Sequence, residues 1–374
     1  MRLAALLPAA AFAPHLPASP AASAITHSGQ KTPAANAARA YRFVFSDWLS
    51  PLAWSAFAAV TLLWPNQSAG FTDWAYTKEL GEGALVLAAI WAVLAFLAGF
   101  FVVAERQSSQ TGKLTPGARV LAAFSRAAPW ITAIAVLLAL WEILTAKTGI
   151  LSPPFFAPPS SLIEVYLEEY VRLLDCSVNT LALLGKGVLW GGVVGFLLGV
   201  GIGWSRRIGY WAHPVLRLIG PLPPTALLPL TFFIFPSSHS ASVFLIALAT
   251  AFPVAILTWS GVAGVHKHYY DVARTLGASE WFLIRRVAIP AALPQVFVGL
   301  FMGFGASFVV IVVAEMLGVK SGLGWYLTWS QGYAAYPNMY AALILMSLLF
   351  SGLISLLFFA RDRLLVWQKG TVKW

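Results

Sequence analysis

The stretch from Leu218 to Val265 reads LIGPLPPTALLPLTFFIFPSSHSASVFLIALATAFPVAILTWSGVAGV and contains no Lys, Arg, Asp or Glu. An α-helix rises about 1.5 Å per residue and the hydrocarbon core of a bilayer is about 30 Å thick, so this run is too long for a single membrane helix. The turn-forming sequence PSSHS at 236–240 divides it. The stretch therefore predicts two membrane spans, at residues 218–236 and 241–262.

Six further runs of about 20 residues are almost free of charge. They are residues 48–64, 83–104, 127–146, 180–204, 294–316 and 338–360. The composition agrees, because 59% of the chain is hydrophobic and only 10% is charged, against about 25% charged residues in an ordinary soluble domain. Cys176 is the only cysteine, which excludes an intramolecular disulfide and a CxxC metal or redox motif. The sequence predicts an all-α, polytopic transmembrane bundle with eight spans in the lipid bilayer.

Basic residues are distributed unevenly between alternate loops. Fifteen fall in loops and a tail on one predicted side, and four fall in loops on the other. The larger set is Arg106, Lys113, Arg119, Arg126, Arg206, Arg207, Arg217, Lys267, Arg274, Arg285, Arg286, Arg361, Arg363, Lys369 and Lys373, and the smaller set is Lys78, Lys147, Arg172 and Lys320. Because positive loops stay in the cytoplasm, both termini are predicted to be cytoplasmic. The net charge of +10 then needs no nucleic-acid partner.

Three regions follow from this pattern. Residues 1–47, of which the first 40 are rich in Ala, Pro and Ser, are predicted to be a disordered cytoplasmic tail. A signal peptide in the first 13 residues is the alternative, but Pro8 interrupts the apolar stretch and cleavage would reverse the orientation. Residues 48–126 hold two extra N-terminal helices and an inner loop, and residues 127–374 hold a six-helix domain.

Glycines recur every four residues within the fourth span. They are Gly187, Gly191, Gly195, Gly199 and Gly203. This spacing places them along one helical ridge and allows a neighbouring helix to approach closely. Packing within the subunit is favoured over a seam between two subunits.

The predicted inner loop at 263–293 carries apolar side chains among its charges. These are Val272, Leu276, Phe282, Ile284 and Val287. A solvated connector would be polar throughout, so the pattern favours short amphipathic helices that bind a partner. Gly277 is predicted to end one such helix in the left-handed conformation. Pro290 and Pro294 are predicted to prevent a continuous helix from the loop into the next span.

This loop resembles the hallmark loop of the inner-membrane permeases of binding-protein-dependent ABC importers. Those proteins carry Glu-Ala-Ala, three further residues, then Gly, and later a hydrophobic residue followed by Pro. Here Asp271-Val272-Ala273 takes the place of the triad, Gly277 that of the glycine, and Ile289-Pro290 that of the closing pair. The resemblance implies that the loop docks into an ATPase subunit. The residues that it assigns to ATPase coupling are Asp271, Ala273, Arg274, Gly277, Ala278, Ile289 and Pro290.

The resemblance extends from about Trp141 to Lys369. Trp141-Glu142, Arg217 with Pro221, Pro223, Pro224 and Pro229, and Glu315 followed by Gly322-Leu323-Gly324 are similar to the nitrate, sulfonate and taurine branch. The resemblance implies a transport subunit of the bacterial inner membrane. It leaves nitrate, sulfonates, bicarbonate, aromatic acids and thiamine precursors open as substrates, among which a small organic or inorganic anion is favoured. It also implies two copies of an ABC ATPase, a periplasmic substrate-binding protein and a second permease copy, as a homodimer or with a related permease. Pro223 and Pro224 are assigned to the translocation path or gate.

Glu315 is the third candidate for the path or gate, because a carboxylate beside the uncharged run 287–314 is costly without a partner or water. It is expected either to face the path or subunit interface, for example through a hydrogen bond to Ser321, or only to mark the helix end with its charge in interfacial water.

Motifs for chemistry within the chain are missing from the sequence. Gly185-Lys186-Gly187 is the nearest approach to a phosphate loop and lacks the rest of it, so ATP is expected to be hydrolysed by a partner subunit and no cofactor is expected in this chain. His266-Lys267-His268 has the wrong spacing for a metal site on one helical face. A non-enzymatic permease is therefore predicted. The alternatives are an ATP-independent secondary transporter or channel, and a membrane enzyme that would use Glu142, Lys186 and Glu315.

Overall fold

The computed structural model describes residues 33–67, 76–108, 116–151, 154–220 and 222–368, and within these ranges every regular element is a helix. This confirms the predicted all-α polytopic bundle. The α-helices are α1 Pro33–Leu63, α2 Thr77–Ser108, α3 Pro116–Glu142, α4 Pro159–Glu168, α5 Tyr170–Trp204, α6 Arg206–Ile219, α7 Leu228–Ile234, α8 Ser238–Ala263, α9 Lys267–Thr275, α10 Glu280–Phe282, α11 Ile289–Leu317, α12 Leu323–Gly332 and α13 Tyr336–Leu364.

Six segments of the described chain are long and apolar enough to cross a bilayer. They are Thr77–Leu97, Ala127–Lys147, Tyr170–Trp204, Ser238–Ala263, Glu280–Leu317 and Tyr336–Leu364. Each contains most of one predicted span. The two predicted spans that do not meet this standard are 48–64, whose apolar part is the short helix Trp48–Leu63, and 218–236, where the helix is broken.

Helix α1 begins at Pro33, inside the stretch predicted to be a disordered tail. The Ala-rich sequence that follows Pro33 has high helix propensity, and proline is favoured in the first turn, so the helix extends outward from its apolar part. Residues 1–32 of the predicted tail lie outside the described residues. The predicted boundary between the N-terminal helices and the six-helix domain, at residue 126, stays a prediction.

Helices α1, α2 and α3 pack together around Trp54, Phe57, Ala88 and Ala135. At the start of the apolar part of α1, Trp48–Leu63, the Ser50 hydroxyl donates to the Ala128 carbonyl at 2.8 Å. The other end of α1 lies beside the end of the third predicted span, as the next contact shows. Helix α1 therefore runs parallel to α3 over its whole apolar length, although that length is shorter than in the other spans.

Lys147 is buried at the end of the π-helical turn Ile143–Lys147 that continues α3. Its ammonium donates to the carbonyls of Thr61 and Trp64 at 2.9 and 2.6 Å and to the side-chain oxygen of Asn66 at 2.7 Å. The last carbonyls of a helix have no partner within the helix, and a cation there is favourable. Lys147 was predicted to be an outer-loop charge; the structure corrects this, because the lysine caps α1.

The glycine ridge of α5 packs against α8 within the same chain, as predicted. A Cβ at Gly191 would collide with the carbonyl oxygen of Ala247, and one at Gly195 with that of Ala251. Glycine permits this close approach of the two backbones. Beside it, the hydroxyls of Thr250 on α8 and Ser307 on α11 are 2.6 Å apart. Helices α5, α8 and α11 thus form the tightly packed centre of the bundle.

The predicted span 218–236 is not one helix. Helix α6 ends at Ile219, a 3₁₀ turn occupies Pro224–Leu227, and α7 begins at Leu228, with the two parts bent by 84°. Pro223 and Pro224 lack backbone donors and their rings clash with the preceding turn of a helix, so the break follows from them. The span was predicted from its lack of charged residues alone, and the break was therefore missed.

The helix at the start of the seventh span is continuous, contrary to prediction. A π-helical turn at Leu283–Ala288 leads directly into α11, with Pro290 in the first turn of α11 and Pro294 inside it. The N–H of a residue in the first turn of an α-helix has no acceptor within that helix, so a proline there removes no hydrogen bond. The π turn before it changes the hydrogen-bond register between the loop and α11. The segment Glu280–Leu317 therefore enters the membrane as one unit.

Candidate functional site

The loop between α8 and α11 is anchored to the bundle by one face of α9. The ring of Tyr270 packs edge-on against Trp204 at the end of α5, with centroids 5.7 Å apart. Tyr270 also packs against the buried cluster of Val262, Ala288 and Ala292. Helix α9 is therefore held at a fixed position where α5 and α8 end. We refer to this side of the bundle as the loop side.

Gly277 ends α9 with φ of +79°, which confirms the predicted left-handed turn. Its N–H donates to the Arg274 carbonyl at 2.9 Å, and the N–H of Ala278 donates to the Ala273 carbonyl at 3.1 Å. This pair of bonds is the Schellman arrangement, in which a glycine terminates a helix and reverses the chain. A Cβ at Gly277 would meet nothing within 4 Å, so the backbone angle alone demands glycine.

An ion pair crosses the turn that Gly277 makes. The Arg274 guanidinium lies 3.1 Å from the Glu280 carboxylate, and both groups are more than half exposed. The hydroxyl of Ser279 accepts from the N–H of Phe282 at 3.4 Å and caps α10. An exposed pair contributes at most about 1 kcal/mol, so it orients α9 and α10 more than it stabilises them. Glu280 was not among the predicted residues, because the pair depends on the turn geometry.

Five large apolar side chains of this loop are exposed. They are Tyr269 at 65%, Val272 at 61%, Leu276 at 83%, Trp281 at 68% and Phe282 at 49%. The first three recur at helical spacing along one side of α9, opposite to the anchoring Tyr270. We name these five residues the loop-side surface. Exposed apolar clusters of this kind mark sites where another protein binds.

The predicted coupling residues divide between this surface and its support. Asp271, Arg274 and Gly277 are exposed beside the loop-side surface, and Ala273 and Ala278 are half-buried in the turn under it. Ile289 and Pro290 are also half-buried, in the first turn of α11 beyond the π turn. The structure thus brings the first five together, and it places the closing pair at the base of the membrane helix.

Glu315 lies near the opposite side of the bundle and is only 1% exposed. Its Oε2 accepts from the N–H of Gly324 at 2.8 Å and from the Thr180 hydroxyl at 3.1 Å. The Thr180 oxygen in turn accepts from the N–H of Leu323 at 2.9 Å. One carboxylate and one hydroxyl therefore hold the start of α12 against α5 and α11.

The burial and the partners of Glu315 test the two expectations for this residue. At 1% exposure the carboxylate is open neither to interfacial water nor to a path or subunit interface, and its partners are Thr180 and Gly324, where Ser321 was expected. Gly322 has φ of +102°, and a Cβ there would collide with the Glu315 carboxylate. The 322–324 turn therefore fits around this group. The partner Thr180 is 135 positions away in sequence, so no local spacing could have indicated it.

A second polar network supports the same region. Glu169 accepts from the Tyr326 hydroxyl at 2.7 Å and from the Asn338 amide at 2.8 Å. Arg172 lies 3.9 Å from Glu169 and 4.2 Å from the centre of the Trp329 ring. These contacts fix α12 between the start of α5 and the start of α13.

Pro223 and Pro224 lie in the break between α6 and α7. Pro223 is exposed and Pro224 is half-buried. The first residue after the break, Leu228, packs in the buried cluster that contains Leu184, Ile246 and Ile311. Leu228 therefore holds the start of α7 inside the bundle, against α5, α8 and α11. The role of Pro223 and Pro224 in the path stays a prediction.

The three ionisable residues considered for an enzyme lie in separate environments. Glu142 is buried at the end of α3, where neither carboxylate oxygen has a hydrogen-bond partner in the described part of the chain. Lys186 is exposed, 3.3 Å from the His239 ring. Glu315 binds the 322–324 turn. No shared site follows from these positions.

Comparisons with known proteins agree with this architecture. The family model described as "Binding-protein-dependent transport system inner membrane component" matches residues 191–366, which include the whole loop-side surface. The putative aliphatic sulfonates transport permease protein SsuC of Bacillus subtilis is 28% identical over 241 residues, covering 63% of this chain and 86% of its own. The nitrate import permease protein NrtB of Synechococcus elongatus is 26% identical over 256 residues, covering 64% and 87%.

Among solved structures, a chain of the inward-facing MetNI methionine ABC transporter covers 52% of this chain and 96% of its own, at 21% identity and a TM-score of 0.42. A score at this level carries no argument about the fold. The family match and the relatives carry the assignment, and these relatives are transport permeases rather than enzymes. Residues 191–366 of this chain therefore match the inner membrane component of binding-protein-dependent transport systems, and the apolar helices agree with a multi-pass protein of the inner membrane.

Proposed function

We propose that this chain is the permease subunit that encloses the translocation path of an ABC importer and is driven by a separate ATPase. The observation that carries this proposal is the loop-side surface, which exposes five large apolar side chains on a rigidly anchored α9 and α10. A groove in an ATPase subunit is a partner that fits a short amphipathic helix. ATP is bound and hydrolysed by that partner, and this chain holds no cofactor.

The orientation follows from the same proposal. The loop side faces the cytoplasm, where ATP is available, and the side of α12 and Glu315 faces outward, where a substrate-binding protein delivers the substrate. Both termini are cytoplasmic. Two permease copies, arranged as a homodimer, and two ATPase copies complete the transporter. Movement of α9 with the ATPase is transmitted to the membrane through the continuous π turn and α11.

The substrate proposed is a small organic or inorganic anion. The support is the similarity to permeases whose names specify nitrate and aliphatic sulfonates. An ATP-independent transporter is the second candidate, and it has no use for an exposed apolar surface outside the membrane.

Gly277→Val is expected to reduce association with the ATPase. A β-branched residue tolerates a positive φ poorly, at a cost of roughly 1–3 kcal/mol, so the turn that orders Leu276 and Trp281 would be distorted. At 1.4 kcal/mol per factor of ten, the affinity for the ATPase should fall about 5- to 140-fold. The measurement is co-purification of the partner phosphate-loop ATPase, together with binding affinity in detergent.

The matched control is Gly277→Asn, because asparagine enters the left-handed region more readily than other non-glycine residues. It should retain most of the binding. Equal binding by the wild type and the Val variant would show that Gly277 supplies no special turn for docking.

A further inference from the structure

Helix α6 runs along α8 from the loop side into the depth of the membrane. The ring of His213 packs against Trp259 with centroids 4.4 Å apart. Seven residues further along α6, a Cβ at Gly220 would collide with the ring of Phe252, two turns deeper in α8. Phe252 lies about 16 Å from the loop-side end of α8 at 1.5 Å per residue. The last turn of α6 is therefore near the middle of the roughly 30 Å hydrocarbon layer.

Helix α6 has two chemically different faces. Arg206, Tyr210, His213 and Arg217 are spaced by four, three and four residues, which places them on one face that we name the basic stripe. Three of them are exposed, whereas His213, at the border of this face, is half-buried against Trp259 of α8. The other face carries exposed apolar side chains. These are Ile208, Trp211, Val215 and Leu218. Between the two faces, Gly209 is buried near Ile202 of α5.

Arg217 lies at the deep end of the basic stripe. Its side chain is exposed on the surface of the chain, and none of the ion pairs among the described residues includes it. A guanidinium at the centre of a bilayer is costly in contact with lipid, and such residues face a water-filled cavity or another protein segment. The apolar face, with Leu218 74% exposed, is the one that suits lipid.

The helix break that follows Arg217 also indicates a protein-covered or water-filled environment. Leu222 and Pro223 are exposed where the backbone is not helical. Irregular backbone at this depth is tolerated only where it is covered by protein or lines a water-filled cavity. The ends of broken helices in transporters are also places where ions and charged substrates bind.

We propose that Arg217 is an anion-binding residue of the translocation path and that the basic stripe forms the wall of its cytoplasmic half. This rests on the proposed function and names the residue that recognises its substrate. A guanidinium presents paired donors that match the oxygens of a planar or tetrahedral oxyanion, such as nitrate or an alkanesulfonate. Arg206 lies at the membrane surface, and Arg217 lies about ten residues deeper along the helix.

The first arm of the test measures water access and needs no knowledge of the substrate. In a Cys176→Ser background, Arg217→Cys and Leu218→Cys are reconstituted as the complete complex and treated with the anionic reagent 2-sulfonatoethyl methanethiosulfonate. We expect Arg217→Cys to react at least tenfold faster than Leu218→Cys. Similar rates, or a faster reaction at 218, would overturn the proposal. Tyr210→Cys against Trp211→Cys repeats the comparison on the same two faces if Arg217→Cys does not assemble.

The second arm measures nitrate and ethanesulfonate uptake in proteoliposomes. Arg217→Gln should lower kcat/KM for the transported anion by about 10- to 100-fold, and Arg217→Lys should recover part of it, while the ATPase still co-purifies. Uptake by Arg217→Gln at the wild-type rate would overturn the proposal, because the arginine would then only offset the partial negative charge at the C-terminal end of α6. A loss confined to vesicles containing phosphatidylglycerol, and absent in phosphatidylcholine alone, would assign the arginine to lipid headgroups and overturn the proposal.

The two arms separate this inference from the proposed function. If the wild-type complex shows no ATP-dependent uptake of any anion, the proposed function fails, and the thiol reaction rates still decide whether the basic stripe faces water. If uptake requires ATP but the two cysteines react alike, the function stands and the role of Arg217 fails.

Discussion

The double variant Leu276→Asp, Trp281→Asp is expected to abolish co-purification with the ATPase. These two side chains are 83% and 68% exposed in the isolated chain, and a bound partner would remove them from contact with water. Loss of a central apolar anchor costs about 2 kcal/mol or more, which is roughly a 30-fold fall in affinity for each substitution. A carboxylate placed in the same contact adds the cost of removing its charge from water.

The matched control for this double variant is Trp367→Asp. Trp367 is 63% exposed and follows α13 on the loop side, so it has similar chemistry without belonging to the loop-side surface. Its ATPase content should equal that of the wild type, and the thermal stability of both variants should be unchanged because neither position is buried. Normal ATPase content in the double variant would show that the loop-side surface is not the docking site.

Glu315→Leu is expected to abolish transport while insertion and ATPase binding are retained. The substitution removes the acceptor of the Gly324 N–H and of the Thr180 hydroxyl, and each buried donor left without a partner costs about 1–3 kcal/mol. The start of α12 would then separate from α5 and α11 on the outer side, where the gate is proposed. The measurements are the melting temperature of the purified complex, which should fall, and ATP-driven uptake.

Two further variants separate the carboxylate from the volume of the side chain. Glu315→Gln keeps one oxygen acceptor and should retain part of the transport activity. Thr180→Val breaks the same network from the other side and should resemble Glu315→Leu, whereas Thr180→Ser keeps the hydroxyl and should resemble the wild type. Transport by Glu315→Leu at the wild-type rate would show that Glu315 has no role in gating.

The parts of the fold that the sequence could predict depend on neighbouring residues. Uncharged runs located six candidate spans, because hydrocarbon excludes charge over a fixed length. Gly277 was predicted correctly because helix termination in the left-handed conformation is a local property. The glycine ridge of α5 was predicted to pack inside the subunit, and its partner α8 could follow only from the tertiary structure.

The errors arose where a local rule was applied without its context. Arg217 was placed in a loop because it precedes an uncharged run, but it lies in the last turn of helix α6. Pro290 was expected to stop a helix, but a π turn ends at Ala288 and α11 begins at Ile289, so Pro290 lies in a first helical turn. Lys147 was counted as a loop charge although it caps a helix more than 80 positions earlier.

The measurement that tests the account most directly is substrate uptake by proteoliposomes that contain this chain, the neighbouring phosphate-loop ATPase and the cognate binding protein. The account predicts uptake only when ATP, the ATPase and the binding protein are all present, and no uptake with a non-hydrolysable ATP analogue. Uptake by this chain alone, driven by an ion gradient without the ATPase, would contradict it.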